Sequence, residues 1–282
     1  MKELKNKVAV ITGAASGFGR ELAILCAQEG MKLALADIQM QGLEETAGLV
    51  AQWKPEVLLQ HCDVSMSAAL DTLAQKTYER FGKAHLLFNN AGVAVSGPTW
   101  TATLEDWKWS IDVNLMGVVH GIRSFVPRML EQGDECHVVN TASVAGLTSV
   151  PGSSVYCATK HGVVTVSECL YHDLAAVQSR IGVSVLCPAF VNTGIADSAR
   201  NRPAELANTN PLGAEAEAMV RKALKSGKLS AADIARITMD GVKAERFYII
   251  THPAIMPTIE WRMQDILQLR QPTSPLKQRE RK

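Results

Sequence analysis

The sequence predicts an α/β fold, a doubly wound parallel sheet of about seven strands with helices on both faces. Three observations predict it. Short, nearly continuous apolar runs recur along the chain, longer amphipathic stretches separate them, and a glycine-rich turn follows the first apolar run at once. Val8-Ala9-Val10-Ile11, Leu33-Ala34-Leu35-Ala36 and Val183-Ser184-Val185-Leu186 lack the strict alternation of a half-solvated strand. Strands covered by helices on both faces read this way, and alternation of strand with helix implies right-handed crossovers between parallel strands.

Taken in order, the expected strands cover 7–12, 32–37, 56–61, 85–89, 137–142, 182–187 and 246–250. Helical stretches are expected near 18–29, 40–52, 67–81, 104–131 and 153–178, and another helix-like stretch follows Thr251-His252-Pro253. With no internal repeat and no clear linker, one domain is expected over 1–270. The stretch 195–228 breaks the rhythm. It is rich in Ala, Asn and charge, carries Pro203 and Pro211, and reads as a substrate lid inserted between two strands. Its Arg200 and Arg202 are expected to face solvent. The tail 271–282 holds two prolines, Leu276 and a basic end, and disorder is expected there.

Composition narrows the function classes. The chain has 282 residues, 47% hydrophobic and 20% charged, with a formal net charge of +1. Such a balance sets up no long-range field for nucleic acid or an anionic membrane. No apolar run approaches the roughly 20 residues that span a bilayer. The apolar run 8–11 behind the charged N-terminus is too short for a signal-peptide core. A soluble, cytoplasmic protein is expected. Cysteines 26, 62, 136, 157, 169 and 187 show no C-x-x-C pair and no zinc-like histidine spacing, so reduced thiols and no metal centre are expected. His120, His161 and His172 read as packing or surface residues. Trp107 and Trp109, two apart, cannot share a helix face, which predicts one in the core and one partly exposed.

Thr12-Gly13-Ala14-Ala15-Ser16-Gly17-Phe18-Gly19 leaves the first strand and opens the first helix. A turn so placed carries the helix N-terminus to the carboxyl edge of the sheet, where free N–H groups and the helix dipole favour a pyrophosphate. Gly13 permits the tight turn; Gly17 and Gly19 permit close approach and close helix packing. The spacing is G-x-x-x-G-x-G rather than the general dinucleotide fingerprint. Asp37-Ile38 closes the second strand, with Asp37 18 residues beyond Gly19. A carboxylate there accepts from both ribose hydroxyls of an adenosine and repels a 2′-phosphate, so NAD is preferred over NADP, although Arg20 offers some charge to a phosphate. Asp63-Val64 closes the third strand, where an adenine would lie. Asn89-Asn90-Ala91-Gly92 closes the fourth with small residues that let a cofactor cross the sheet edge.

Tyr156-Cys157-Ala158-Thr159-Lys160 sets Tyr and Lys four apart, on one face of a helix. A free phenol, with a pKa of about 10, is a poor base near neutrality. A nearby ammonium and an oxidised nicotinamide favour phenolate, so that Tyr156 can take a proton from an alcohol as hydride leaves carbon. Ser143 lies 13 residues upstream, just past the fifth strand, and its hydroxyl can hold the substrate oxygen beside the phenol. Asn114 sits in a mostly apolar helical run. A buried Asn needs partners, which leaves a helix irregularity or a water relay open.

In order and spacing, Thr12 to Gly19, Asp37, Asp63, Asn89 to Gly92, Asn114, Ser143, Tyr156 and Lys160 resemble the short-chain dehydrogenases/reductases over about 5–193. The resemblance implies a Rossmann-like seven-stranded sheet and an Asn–Ser–Tyr–Lys tetrad. It implies that Tyr156 is the acid/base and that Ser143 positions the substrate oxygen. Lys160 would hold the nicotinamide ribose and lower the tyrosine pKa, and Asn114 would anchor a water. Pro188, Val191 and Thr193 resemble the segment that meets the nicotinamide carboxamide. Two departures stand out. Pro188-Ala189 replaces the frequent Pro-Gly, and the C-terminus lacks the Asp-Gly-Gly ending of many tetrameric members. A homodimer built on 104–131 and 153–178, or a homotetramer, is expected.

The substrate pocket is expected among Val93, Val95, Val144, Ala145, Leu147, Val150, Phe190 and Ile195. Its first three segments carry no Arg or Lys, which favours a hydrophobic secondary alcohol or its ketone over an anionic substrate. A nucleotide-binding regulator on the same fold is the alternative reading, but all four tetrad positions are filled. Enoyl reductases of this type usually stretch the Tyr–Lys spacing beyond the four found here, which favours carbonyl/alcohol chemistry.

Overall fold

The computed structural model describes residues 1–207, 218, 221–222 and 227–276. Its centre is one seven-stranded parallel sheet: β1 (Val8–Thr12), β2 (Lys32–Asp37), β3 (Val57–His61), β4 (Leu86–Asn89), β5 (Cys136–Thr141), β6 (Ile181–Cys187) and β7 (Tyr248–Ile250). The spatial order is β3-β2-β1-β4-β5-β6-β7. β1 pairs with β2 on one side and β4 on the other, with Val10 opposite Ala34 and Leu87. The chain therefore winds outward in one direction from β1 and then in the other from β4. The crossovers diverge between these two strands and leave a crevice at their carboxyl ends.

The central strands are buried on both faces, which is why their sequences are continuously apolar. On one face, α1 (Gly17–Gln28), α2 (Met40–Val50) and the helix Ala231–Lys243 enclose Ile11, Leu22, Leu33, Leu35, Phe88 and Ile234. On the other, α3 (Ser67–Phe81), α5 (Gly117–Gln132) and α6 (Ser154–Ala176) enclose Val10, Leu70, Leu73, Leu87, Phe125 and Val138. The Rossmann-like doubly wound architecture is thus the one the sequence predicts.

Two elements differ from expectation. The stretch 104–131 is not one regular helix. It divides into α4 (Leu104–Ile111), a π-helical turn over Asp112–Met116, and α5. The helix Ala231–Lys243 was not anticipated, although Ser230 and Asp233 form a reciprocal capping box at its start. Its buried Ile234, Ala235, Thr238, Met239 and Val242 repeat with helical spacing. At the beginning of the tail the Thr273 N–H donates to Asp265 at 2.8 Å. Of the expected lid, Gly194–Asn201 and Ala204–Leu206 form short 3-10 turns. Residues 208–217, 219–220 and 223–226 of the lid, and 277–282 of the tail, lie outside the described residues. Among the described residues, no helix is long and apolar enough to cross a membrane. Trp109 is buried and Trp107 half-buried, as their spacing predicts.

The turn from β1 into α1 is tightly packed. Gly19 is buried beneath it, and a Cβ on Gly19 would stand 2.1 Å from the Gly13 carbonyl oxygen. Both groups are backbone, so neither a rotamer change nor a small side-chain shift relieves the clash. Gly19→Ala is expected to destabilise the fold by about 1–3 kcal/mol and to lower the melting temperature measured by circular dichroism. A melting temperature equal to that of the parent protein would show that the turn tolerates the added carbon.

Candidate active site

The crevice between β1 and β4 opens into an elongated cleft of about 210 Å³. Gly13 takes a left-handed backbone (φ +68°) and Gly17 another (φ +53°), which turns the chain from β1 into α1 within a few residues. The Ser16 side chain makes no capping bond, so the leading N–H groups of α1 have no side-chain partner there. A Cβ on Gly13 would lie 2.9 Å from the Ala91 Cα, so bare backbone is required where the turn meets the end of β4. The Thr12 hydroxyl completes that junction. It accepts the Asn90 and Ala91 N–H groups at 3.0 and 3.2 Å and donates to the Phe88 carbonyl at 3.2 Å.

Around this cradle the cleft is lined by Gly13, Ser16, Gly17, Phe18, Asp37, Ile38, Asp63, Val64, Asn90, Ala91, Gly92, Tyr156, Lys160, Pro188 and Thr193. The structure brings these sequence-predicted positions together. Gly19 and Val191 do not line it. Gly19 packs under the turn, and Val191 is buried and lines a second, apolar cavity. At the β2 end, the Asp37 carboxylate accepts the Ala15 N–H at 3.1 Å and the Gln39 N–H at 3.0 Å, which fixes its orientation beside the cradle. Arg20 is tied down away from it. Its guanidinium donates to the Ala15 carbonyl at 2.6 Å, Thr46 at 3.1 Å and Glu45 at 2.8 Å. Asp63 holds a local turn, accepting from the Ser65 N–H and hydroxyl at 2.9 and 2.7 Å.

Asn114 sits in the π-helical turn and is fully buried. The extra residue of that turn aims its amide out of the helical ladder. Asn114 Oδ1 accepts the Val93 N–H at 2.8 Å, and Nδ2 has the Val93 carbonyl at 2.9 Å and the Ser110 and Thr159 hydroxyls at 3.2 Å. One side chain therefore joins the loop after β4 to α6. Ser143 follows β5; its hydroxyl accepts the Ala145 N–H at 3.1 Å and donates to the Pro188 carbonyl at 3.3 Å. Tyr156 and Lys160 lie one turn apart on α6, with Lys160 Nζ 5.6 Å from the centre of the Tyr156 ring. Lys160 Nζ donates to the Thr141 carbonyl at 2.9 Å, a partner the sequence did not suggest.

The electrostatics qualify the expected tyrosine activation. Burial pushes the Tyr156 phenol up to about 12, against an opposing hydrogen bond with Ser143. Burial also lowers Lys160 to about 8. In the protein alone, then, desolvation outweighs any lowering of the phenol by Lys160.

The second cavity, about 120 Å³, adjoins the first. Val95, Val144, Ala145, Val150 and Phe190 line it, with Ser143 and Tyr156 at its polar end, and among the described residues no charged side chain lies in its wall. Leu147 packs instead in a cluster with Val163 and Val185, behind this wall. Residues of 194–207 form the roof of the first cleft. Ser198 accepts the Ala94 N–H at 3.0 Å and Asn201 accepts from Gln39. Arg200 is exposed, but Arg202 is buried against Asp106 at 2.7 Å rather than solvated. Among the described residues no group of His, Cys, Asp and Glu could hold a metal ion.

The cradle tests well for a dinucleotide: left-handed glycines, backbone that excludes a Cβ, uncapped helical N–H groups and an oriented carboxylate at the neighbouring strand end occupy one cleft. Comparison with known proteins points the same way. The family described as short chain dehydrogenase matches residues 7–204. A dehydrogenase/reductase of CLA biosynthesis from Lactiplantibacillus plantarum is 35% identical over 273 residues, 95% of each chain. A C alpha-dehydrogenase from a Sphingobium species is 31% identical over 95% of this chain and 87% of its own. A crystal structure of a short-chain dehydrogenase/reductase from Burkholderia phymatum in complex with NAD superimposes with a TM-score of 0.95, at 48% identity, over 98% of this chain and 99% of that one. With a matching family over most of its length, a shared fold and a cleft of the corresponding build, the chain belongs to the short-chain dehydrogenases/reductases, a family of oxidoreductases.

Proposed function

We propose that the protein transfers hydride between NAD and a hydrophobic secondary alcohol or its ketone, with Tyr156 as acid/base. One observation carries this reading: Tyr156 lines both the cleft that holds the glycine cradle and the apolar cavity, and so stands where the two meet. A bound nicotinamide supplies the hydride acceptor or donor at that junction. The Ser143 hydroxyl, at the same polar end of the cavity, orients the substrate oxygen toward the phenol. Tyr156 gives its proton to that oxygen in reduction and takes it back in oxidation. With its pKa near 12, the phenol is protonated at neutrality, as reduction requires. Lys160, charged below about pH 8, eases phenolate formation and offers Nζ to a ribose. Asn114 holds the Val93 loop against α6 and so keeps Tyr156 and Lys160 facing the cleft.

NAD is favoured over NADP by Asp37, whose carboxylate suits ribose hydroxyls and repels a phosphate. Arg20, engaged by Ala15, Thr46 and Glu45, is not available to reverse that preference. The related Burkholderia protein with NAD supports the same choice. A neutral, apolar substrate is favoured because a carboxylate or phosphate would enter the second cavity without a cationic partner. The same reading takes the chain as one catalytic domain over 1–270, cytoplasmic and a homodimer or homotetramer.

Tyr156→Phe is expected to cut turnover by at least about 100-fold, followed as absorbance of reduced nicotinamide with a panel of hydrophobic secondary alcohols, while NAD binding by calorimetry stays near that of the parent protein. Substantial residual activity would remove Tyr156 as acid/base. Asp37→Ala should weaken NAD far more than NADP, and equal losses would sink the ribose assignment. The lowered pKa of Lys160 means that its charge is lost early as pH rises. The kcat/KM for ketone reduction is therefore expected to fall above about pH 8. A profile that falls only in the ordinary lysine range, about 10.4, would overturn the lowering of Lys160, and one that stays level beyond that range would take the Lys160 charge out of the mechanism.

A further inference from the structure

Two departures from the family pattern meet in space: Ala189, where a glycine is frequent, and the run Thr251-His252-Pro253, in a C-terminal part that lacks the glycine-rich ending. The Ala189 N–H donates to His252 Nδ1 at 3.3 Å, and the buried Thr251 hydroxyl lies 2.7 Å from the same nitrogen. Burial lowers the His252 pKa, so the ring is uncharged at neutrality and keeps a lone pair for that N–H. With Nδ1 accepting, the ring proton is assigned to Nε2. Nε2 is buried and has no hydrogen-bond partner among the described residues. The ring is therefore engaged through one nitrogen only, and an apolar edge in place of the other would avoid a buried, unsatisfied donor.

The amide that His252 holds is the Pro188–Ala189 peptide, and the other end of that peptide faces the site. The Pro188 carbonyl accepts the Val144 N–H at 2.9 Å and the Ser143 hydroxyl at 3.3 Å. Ser143 in turn hydrogen-bonds with the Tyr156 phenol. We propose that His252 is a positioning residue: by holding the Ala189 N–H it fixes the Pro188–Ala189 peptide plane, and through the Pro188 carbonyl it sets how the Ser143 hydroxyl is presented to the substrate oxygen. The proposal rests on the oxidoreductase reading above. A peptide unit is planar, so its N–H and its C=O turn together. Held only at the carbonyl end, the plane can pivot about that attachment; held at both ends, it cannot. Donation from the amide N–H also polarises its carbonyl and makes it a stronger acceptor for the Ser143 hydroxyl. The Cβ of Ala189 narrows the backbone freedom that a glycine would have at this point.

Single-turnover hydride transfer tests the proposal, followed as absorbance of reduced nicotinamide with saturating NAD and the hydrophobic secondary alcohol that the parent protein oxidises fastest. His252→Phe keeps a flat ring and removes the acceptor. Its hydride-transfer rate at saturating alcohol is expected to fall at least about 10-fold, with the half-saturating alcohol concentration within about twofold of the parent value. His252→Asn returns an acceptor oxygen close to the place of Nδ1 and should restore the rate to within about threefold of the parent. Should His252→Phe fail to fold, His252→Leu, smaller and likewise without an acceptor, takes its place. A second readout needs no cofactor: the Ala189 amide should exchange hydrogen at least about 10-fold faster in His252→Phe, and not in His252→Asn. An unchanged rate or unchanged exchange in His252→Phe would overturn the positioning role and leave the enzyme reading intact. So would a loss confined to the half-saturating concentration, or one that His252→Asn does not repair. A parent protein that oxidises no alcohol of the panel would overturn both.

Discussion

The Thr12 hydroxyl joins the two halves of the sheet at the point where their crossovers part. It accepts two backbone N–H groups from the end of β4 and donates to a third group of the same strand. The Asn90 side chain returns the favour, donating to the Thr12 carbonyl at 3.0 Å. Without these bonds the ends of β1 and β4 would expose unpaired backbone inside a buried crevice, at a cost no loop there could offset. The glycine turn above and the Asn90-Ala91-Gly92 segment below are held at fixed separation by this junction. Every other site residue is placed relative to it.

The catalytic candidates hang from that frame by few connections. Asn114 reaches the β4 loop through Val93, reaches α6 through Thr159, and is able to do both because the π-helical turn shifts it out of the ordinary helical register. Lys160 is anchored to the end of β5 through the Thr141 carbonyl. Gly92 leaves room for both: a Cβ there would stand 3.1 Å from Asn114 Oδ1 and 3.5 Å from Lys160 Nζ. The ends of β4 and β5 and two helices thus converge on a volume occupied by one amide and one ammonium, both buried and both hydrogen-bonded.

The strands and the cradle were legible in the sequence because their signals are local. A doubly covered strand must be apolar along its length, and a turn that bars a Cβ must use glycine. The spacing of Tyr156 and Lys160 maps directly onto one helix face. The π-helical turn at Asp112–Met116 left only an indirect mark, a polar Asn114 in an apolar run, because the one-residue insertion is decided by tertiary hydrogen bonds rather than by local propensity. Arg202 was read as solvated because a lid arginine looks the same in sequence whether it faces water or a carboxylate 96 residues away. The helix Ala231–Lys243 carried a capping box and a regular apolar face, but the proline-containing stretch before it obscured where it begins.

The wall of the apolar cavity comes almost wholly from segments beyond the strand ends: Val95, Val144, Ala145, Val150 and Phe190. None of them shares a hydrogen bond with Thr12, Asn90 or Asp37. The two cavities share only Phe18, Tyr156, Pro188, Thr193 and Ile195 among their described lining residues. Exchanges among these side chains can reshape what the enzyme accepts while the coenzyme grip stays as it is. For a designer this makes the loops a palette and the sheet edge a chassis, and for natural variation it offers a route to new substrates through side chains that stand outside the glycine turn.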